Sequence, residues 1–114
     1  MRYALLVCTD ERAEVSDGER SRRAAAGAAF SDEMRERGVL LAGEPLHSTE
    51  TAITVRCWDG GDIVIADGPC AETREQISGL FLVDCKDLDE AIAVATRVPA
   101  AWYGTVEVRP VGEP

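Results

Sequence analysis

The chain has 114 residues, 46% of them hydrophobic, a net charge of −9 and two residues each of Trp, Tyr and Phe. This length predicts one domain whose core needs no disulfide or metal to hold it. The acidic charge is repelled by phosphate backbones and anionic lipids, which argues against nucleic acid and membranes as partners. Acidic residues directly follow the apolar run 1–8, so it does not resemble a signal peptide, and no run approaches the ~20 residues of a membrane span. We therefore expect a cytoplasmic protein.

The first part of the chain predicts a strand, a helix and a second strand. Residues 3–8 form an apolar run rich in strand formers. Ser16 and Glu19 have the spacing of a capping box, which predicts the start of a helix. Apolar side chains then recur every four residues on an otherwise charged helix, and Gly38 is placed to end it. Residues 39–43 resume as a strand.

The middle of the chain predicts a β-hairpin. Residues 52–58 alternate between apolar and polar side chains, as a strand does. Asp59-Gly60-Gly61-Asp62 is a strong hairpin turn, and residues 63–66 return as the partner strand. The hairpin is followed by the stretch 67–76, which is about twice as long as a plain connection.

The last part of the chain predicts a strand, a helix and a strand. Residues 80–85 are apolar and strand-like. Asp87 and Glu90 repeat the spacing of a helix start, and Pro99 ends that helix. Valines alternate with charged residues over 106–109, which predicts a final strand.

The order of these elements predicts an α+β fold, a ferredoxin-like sandwich with an extra β-hairpin. Such a sheet carries its helices on one face only. The sequence offers no third layer for the other face, so we expect a second copy of the chain to cover it. The predicted assembly is a homodimer.

The stretch 67–76 contains the candidate chemistry. Asp67-Gly68-Pro69 reads as a rigid turn. Either Asp67 only caps this turn, or the turn directs Glu72 and Glu75 toward a pocket. If the segment coils into a helix, Glu72 and Glu75 lie one turn apart, and two close carboxylates can act as an acid and base pair. The alternative is two solvated glutamates on a surface turn. Cys70 is either a reactive thiol beside Arg74 or a small apolar plug, and we favour the plug.

Arg56 and His47 are the other candidate ligand-binding residues. Arg56 lies in the middle of a strand, where it either faces a ligand anion or forms a cross-strand ion pair. His47 lies on a loop, where we expect its side chain to face solvent. The alternative is that His47 forms a nucleophilic pair with Cys70.

The cysteines and the histidine predict neither metal nor cofactor. The four cysteines are too far apart for a metal-binding or redox Cys-x-x-Cys pair, and the chain has one histidine. Three of the cysteines lie in apolar strand-like runs, where we expect small buried side chains: Cys8, Cys57 and Cys85.

The stretch 67–76, Asp-Gly-Pro-Cys-Ala-Glu-Thr-Arg-Glu-Gln, resembles the signature of the DGPF-domain branch of the YCII-related family. The usual form of that signature is Asp-Gly-Pro-Phe-x-Glu-x-Lys-Glu, so Cys70 and Arg74 stand where the branch has Phe and Lys. Further similar segments lie at 38–46, 52–56, 79–83, 87–91 and 106–110. The resemblance covers nearly all of residues 2–111 and identifies 1–114 as a single domain of this type.

The resemblance implies a dimeric α+β barrel. Members of the DGPF branch are often encoded beside extracytoplasmic-function sigma factors, which suggests a regulatory interaction module. The wider family includes a dehydrochlorinase that uses a histidine and aspartate pair, but residues 1–46 contain no histidine to match it. Our main hypothesis is a homodimer that binds a small polar or aromatic ligand through Arg56, Asp67, Glu72, Glu75 and His47. The alternatives are a lyase with Asp67 or Glu72 as base, and a partner of a sigma factor.

Overall fold

The computed structural model describes residues 1–112, in which six strands and two helices follow one another in the predicted order. Their bounds are β1 (Arg2–Thr9), α1 (Asp17–Glu36), β2 (Leu40–Pro45), β3 (Ile53–Cys57), β4 (Ile63–Asp67), β5 (Gln76–Asp84), α2 (Leu88–Arg97) and β6 (Thr105–Pro110). Short 3₁₀ turns lie at Thr49–Thr51 and Pro99–Trp102. The fold is a mixed α+β fold.

Both helices begin where the capping pattern predicts. The Ser16 hydroxyl accepts a hydrogen bond from the Glu19 N–H at 3.1 Å, and the Asp87 carboxylate accepts one from the Glu90 N–H at 2.9 Å. Each cap satisfies a backbone donor that the first turn of a helix leaves without an intrahelical partner. Gly38 follows the end of α1 with φ of 71°, a conformation that glycine adopts without strain.

Four strands form an antiparallel sheet in the order β2-β5-β1-β6. β5 begins at Gln76, four residues earlier than predicted. The reason is long-range pairing, since Gln76 pairs with Thr9 at the end of β1. The last residue of the stretch 67–76 therefore belongs to the sheet.

One face of this sheet holds the core and both helices. Tyr3, Leu5 and Val7 of β1 are buried together with residues of both helices, among them Met34 and Val94. Phe81 of β5 packs against the same cluster, and its ring meets that of Phe30 edge to face at 5.2 Å. Since Leu5 and Met34 have no exposed surface, truncating either to Ala would cost about 2–5 kcal/mol.

The opposite face of the sheet has no helix over it within residues 1–112. Side chains of a strand alternate between faces, so this face carries Ala4 and Leu6 of β1 with their partners Leu82 and Leu80 of β5. We call these four residues the helix-free face. Glu107 of β6 lies beside Leu6 on the same side.

β3 and β4 form a separate two-stranded sheet. Gly60 and Gly61 adopt φ of 99° and 94° at its turn, as the predicted hairpin requires. The hairpin barely contacts the rest of the described chain. The radius of gyration of 16.1 Å, against ~13 Å for a compact chain of this length, reflects this projection.

The hairpin overturns one expectation about the cysteines. Cys57 is exposed and not buried, because the strand that carries it packs against no core. Cys85 is buried and Cys8 half-buried, both in the four-stranded part of the fold. Within residues 1–112, no helix combines the length and the apolar character needed to cross a membrane.

Candidate functional site

A cavity of about 650 Å³ lies between α1 and the sheet, on the helix-covered side. We call it the α1 cavity and define it by four residues of α1 and the sheet residues opposite them: Ala24, Gly27, Ala28, Ser31, Gly43, Gly79 and Phe81. The α1 residues are all small, so the helix leaves volume where larger side chains would fill a core. A Cβ atom added at Gly27 would meet nothing within 4 Å.

The floor of the α1 cavity depends on Gly43. A Cβ atom at this position would lie 2.7 Å from Cδ1 of Phe81, closer than real Cβ atoms approach a neighbour. Gly43 therefore allows β2 to pass beside the Phe81 ring, which contributes an apolar surface to the cavity. Such a surface suits the aliphatic or aromatic part of a ligand.

Arg23 is a charged residue on the cavity rim whose side chain is held by two contacts. Its Nε donates to the Glu19 carboxylate at 3.1 Å, and its guanidinium carbon lies 3.7 Å from the ring centroid of Tyr103. Arg20 lines the same cavity one turn earlier in α1. Two guanidinium groups above an apolar floor can receive an anionic group of a ligand.

Asp10 lies on the rim of the α1 cavity, directly after β1. The backbone N–H of Arg12 donates to its carboxylate at 3.0 Å, and Nε of Arg74 lies 3.5 Å away. The hydrogen bond from the Arg12 backbone lowers the pKa of Asp10, as do the nearby charges of Arg74 and Arg12, although desolvation opposes them. Asp10 therefore remains ionised, and Arg74 ties the stretch 67–76 to the cavity rim.

A second cavity of about 640 Å³ lies on the other side of the sheet. We call it the loop cavity, because segments 46–52 and 69–76, which precede and follow the hairpin, form much of its wall. Leu6, Ile77 and Arg109 form its sheet side. It is the place where the stretch 67–76 reaches a concave surface.

Between the end of β4 at Asp67 and the start of β5 at Gln76, hydrogen bonds hold residues 68–75 in an irregular conformation without helix. The Gly68 N–H donates to the Ala52 carbonyl at 2.8 Å and ties the two ends of the hairpin together. The Gln76 amide donates to the carbonyls of Ala71 and Thr73 at 2.8 and 3.1 Å. Without a helix, Glu72 does not stack one turn from Glu75.

The loop cavity brings together part of the predicted site. His47, Cys70 and Glu75 all line it. Glu75 is half-buried, and its carboxylate accepts a hydrogen bond from the Thr105 hydroxyl at 2.7 Å. The cavity also contains a half-buried thiol, Cys8, whose pKa is raised by burial and by the carboxylates of Glu107 and Glu75.

Three predicted residues lie outside both of these cavities within the described chain. Asp67 ends β4 and pairs with Ile53 across the hairpin, and Glu72 is exposed. Arg56 lies on β3, with its guanidinium carbon 5.5 Å from the ring centroid of Trp58. The structure thus separates the two candidate bases, Asp67 and Glu72, from His47 and Glu75.

Sequence reasoning missed the α1 cavity and the polar residues around it. The available signal was the run Ala24–Ala29, six small residues in a helix whose neighbouring turns are charged. The periodicity indicated an apolar stripe on an otherwise charged helix, and it gave Arg20 and Arg23 no role beyond that charge. For metals, no group of three or more His, Cys, Asp or Glu side chains among residues 1–112 is arranged to hold an ion.

Comparisons with known proteins identify the family. The model of the YCII-related domain matches residues 1–113. An uncharacterised protein of Rhizobium meliloti (strain 1021) is 41% identical over 78 residues, which are 67% of this chain and 62% of that protein. The alignment therefore spans less than two thirds of the length of this relative. With a family match over almost the whole sequence, the chain belongs to the YCII-related domain family.

Proposed function

We propose that this chain is a small-molecule-binding protein and that its ligand occupies the α1 cavity. The ligand class that fits is a small molecule with an apolar or aromatic body and one anionic group. The observation that carries the proposal is the position of Arg23 on the rim of a cavity with an apolar floor. Small-molecule sites have this composition, a mostly apolar lining with a few polar groups that orient the ligand.

The size and charge of the α1 cavity support this ligand class. Its volume of about 650 Å³ lies within the ~300–1,000 Å³ typical of ligand pockets. Of the Arg23 nitrogens, only Nε makes a hydrogen bond within residues 1–112, so Nη1 and Nη2 can bind an anion. The Glu19 carboxylate contacts Arg23 only through Nε. Asp10 on the cavity rim already has the Arg12 backbone and Arg74 as partners.

Fluorescence of anilinonaphthalene sulfonate, an apolar anion, tests the proposal. We expect saturable binding to the folded protein and its loss in Ala28→Leu, which fills the cavity. Ala29→Leu is the matched control, because Ala29 is exposed and does not line the cavity. Equal dye binding by the two variants, or no binding by the wild-type protein, would contradict the proposal.

The proposal includes the DGPF branch, a ferredoxin-like sandwich and a cytoplasmic homodimer built as a dimeric α+β barrel. The strand order β2-β5-β1-β6 with both helices on one face supports the ferredoxin-like arrangement. The apolar helix-free face supports a second copy as its cover. Light scattering at micromolar concentration should give twice the chain mass of 12.3 kDa, and a monomer would contradict the dimer.

The loop cavity is the second candidate for a ligand site. It corresponds to the hypothesis that the stretch 67–76 forms one wall of such a site. Its support is the presence of His47, Cys70 and Glu75 on one concave surface. The geometry favours binding over a lyase reaction, because neither Asp67 nor Glu72 lines this cavity or the α1 cavity. If the dye or another ligand still binds when the α1 cavity is filled, Glu75 and His47 are the residues to substitute.

A further inference from the structure

The segment that joins β1 to α1 forms part of the wall of the α1 cavity. It comprises residues 10–15, which contain neither helix nor strand, and we call it the strap. Asp10, Ala13 and Val15 of the strap line the cavity. Because the strap connects the end of a sheet strand to the start of the helix over that sheet, it lies across one end of the cavity between them.

The backbone of the strap gives it little support of its own. Within residues 1–112, the strap makes one backbone–backbone hydrogen bond, from the Ala13 N–H to the Asp10 carbonyl at 3.3 Å, and this bond lies inside the strap. A segment with few hydrogen bonds to its surroundings can open at a small fraction of the free energy of global unfolding. Side-chain contacts to other parts of the fold therefore decide whether the strap stays closed.

Two adjacent carboxylates tether the strap to the segments beside the hairpin. The Glu11 carboxylate accepts two hydrogen bonds from Thr49, one from the backbone N–H at 2.9 Å and one from the hydroxyl at 2.7 Å. The Asp10 carboxylate lies 3.5 Å from Nε of Arg74. Thr49 precedes β3 and Arg74 follows β4, so the strap is held by the two segments that form the base of the hairpin.

The hairpin base also borders the loop cavity. Its two segments are joined by the hydrogen bond from the Gly68 N–H to the Ala52 carbonyl at 2.8 Å. Thr49 lines the loop cavity, and so do both sequence neighbours of Arg74. The two tethers therefore connect the wall of the α1 cavity to the wall of the loop cavity.

We propose that the strap is a gate of the α1 cavity, held closed by the Glu11–Thr49 and Asp10–Arg74 contacts, and that its opening admits and releases the ligand. The inference rests on the α1-cavity ligand of the proposed function and adds the regulation of that site. Because both anchors belong to the hairpin base, a displacement of this base opens the gate.

The tethers have the strength that a gate requires. Glu11 and Arg74 are exposed, so water competes for their contacts and each contact contributes only modestly to closure. The Glu11 contact is the stronger of the two, because a charged acceptor receives two donors. Two weak contacts in combination favour the closed strap and still allow it to open on the microsecond-to-second timescale of lids.

Trypsin cleavage after Arg12 measures the opening of the strap without any ligand. The Arg12 side chain is 79% exposed, but productive cleavage requires the backbone around it to leave its anchors. Thr49→Val removes the hydroxyl bond to Glu11, and Arg74→Gln removes the charge beside Asp10. Since cleavage follows the population of the open form, we expect its rate to rise about two- to fivefold in each variant and about tenfold in the double variant.

Thr54→Val is the matched control. The Thr54 hydroxyl also donates to a backbone carbonyl, that of Ala66 at 3.3 Å, but Thr54 hydrogen-bonds to no strap residue within residues 1–112 and lines neither cavity. Circular dichroism confirms that the variants are folded. Equal cleavage after Arg12 in the double variant and in Thr54→Val would overturn the proposal. Wild-type cleavage as fast as that of a free peptide of residues 7–18 would overturn it as well.

Stopped-flow fluorescence of anilinonaphthalene sulfonate shows whether the strap gates the ligand. Release of the dye should be about tenfold faster in the double variant and unchanged in Thr54→Val, because the closed strap retains the bound molecule. If cleavage rises while the dye leaves at the wild-type rate, the strap is mobile without being a gate and the proposal is wrong. If no dye binds while cleavage rises as expected, the ligand of the proposed function is disproved and closure by the tethers stands.

Discussion

The guanidinium group of Arg23 stacks on the ring of Tyr103, with 3.7 Å between its central carbon and the ring centroid. This contact joins α1 to the segment that follows α2, and it crosses the mouth of the α1 cavity. The Glu19 carboxylate accepts a hydrogen bond from Nε of the same guanidinium. The result is a cation fixed at the cavity rim, since the two contacts restrict a side chain that otherwise has many rotamers.

Arg23→Gln should weaken binding of anilinonaphthalene sulfonate about tenfold, as expected for the loss of one charged hydrogen bond. Arg22→Gln is the matched control, because Arg22 also pairs with Glu19 but does not line the cavity. Dye titrations of both variants give the comparison. Equal affinity of the two variants would show that Arg23 does not bind the anion.

Asp10 should contribute stability that depends on pH. Its pKa is lowered in the folded chain, so its contribution is present above the unfolded pKa of about 3.9 and is lost as pH falls through the folded value. Asp10→Asn should therefore lower the melting temperature at neutral pH, and its difference from wild type should shrink below about pH 4. Arg74→Gln should reproduce part of this effect. Thermal melts of the wild type and of Asp10→Asn over a pH series measure the difference in melting temperature. A difference that did not change with pH would contradict the role of the Asp10 charge.

The thiols should react at different rates with iodoacetamide. Cys70 is exposed and should react first, whereas burial and the carboxylates of Glu90 and Asp84 raise the pKa of Cys85 and should make it slow. Cys57 is exposed as well, so it should react before Cys85. Peptide mass spectrometry over time gives the order. In denatured, unreduced protein, fewer than four free thiols would reveal a disulfide.

Much of the fold could be predicted because its determinants are local. Ser16 with Glu19 and Asp87 with Glu90 specify helix starts within one turn, and residues 59–62 specify the hairpin turn. The start of β5 could not be predicted, because Gln76 becomes part of a strand only by pairing with Thr9. The exposure of Cys57 was missed for a similar reason, since burial depends on neighbours that are distant in sequence.

The candidate site was less predictable than the fold. The stretch 67–76 was singled out for its composition, and part of it does line a cavity with His47. The α1 cavity was missed because it arises from missing side chain volume at Gly27 and from residues distant in sequence, such as Arg23 and Tyr103. The hydrophobic periodicity of a sequence shows which face of a helix is apolar. It does not show where the packed helix leaves a volume unfilled.

Substitution of Glu75 should lower the free energy of unfolding more than substitution of Glu72, although both glutamates belong to the stretch 67–76. Glu75 is half-buried and accepts a hydrogen bond from Thr105 on β6 at 2.7 Å, whereas Glu72 is exposed and makes no hydrogen bond within residues 1–112. Glu75→Ala should lower the free energy of unfolding by about 0.5–1.5 kcal/mol. Glu72→Ala should change it by less than about 0.5 kcal/mol.

Urea denaturation of Glu75→Ala, Thr105→Val and the double variant measures the coupling between these two residues. If the hydrogen bond links the stretch 67–76 to β6, the double variant should be less destabilised than the sum of the single variants, by about 0.5 kcal/mol or more. Additive single effects would mean that Glu75 acts through other contacts. A cost for Glu72→Ala as large as that for Glu75→Ala would mean that the exposed glutamate has a partner outside the single chain, such as a second copy.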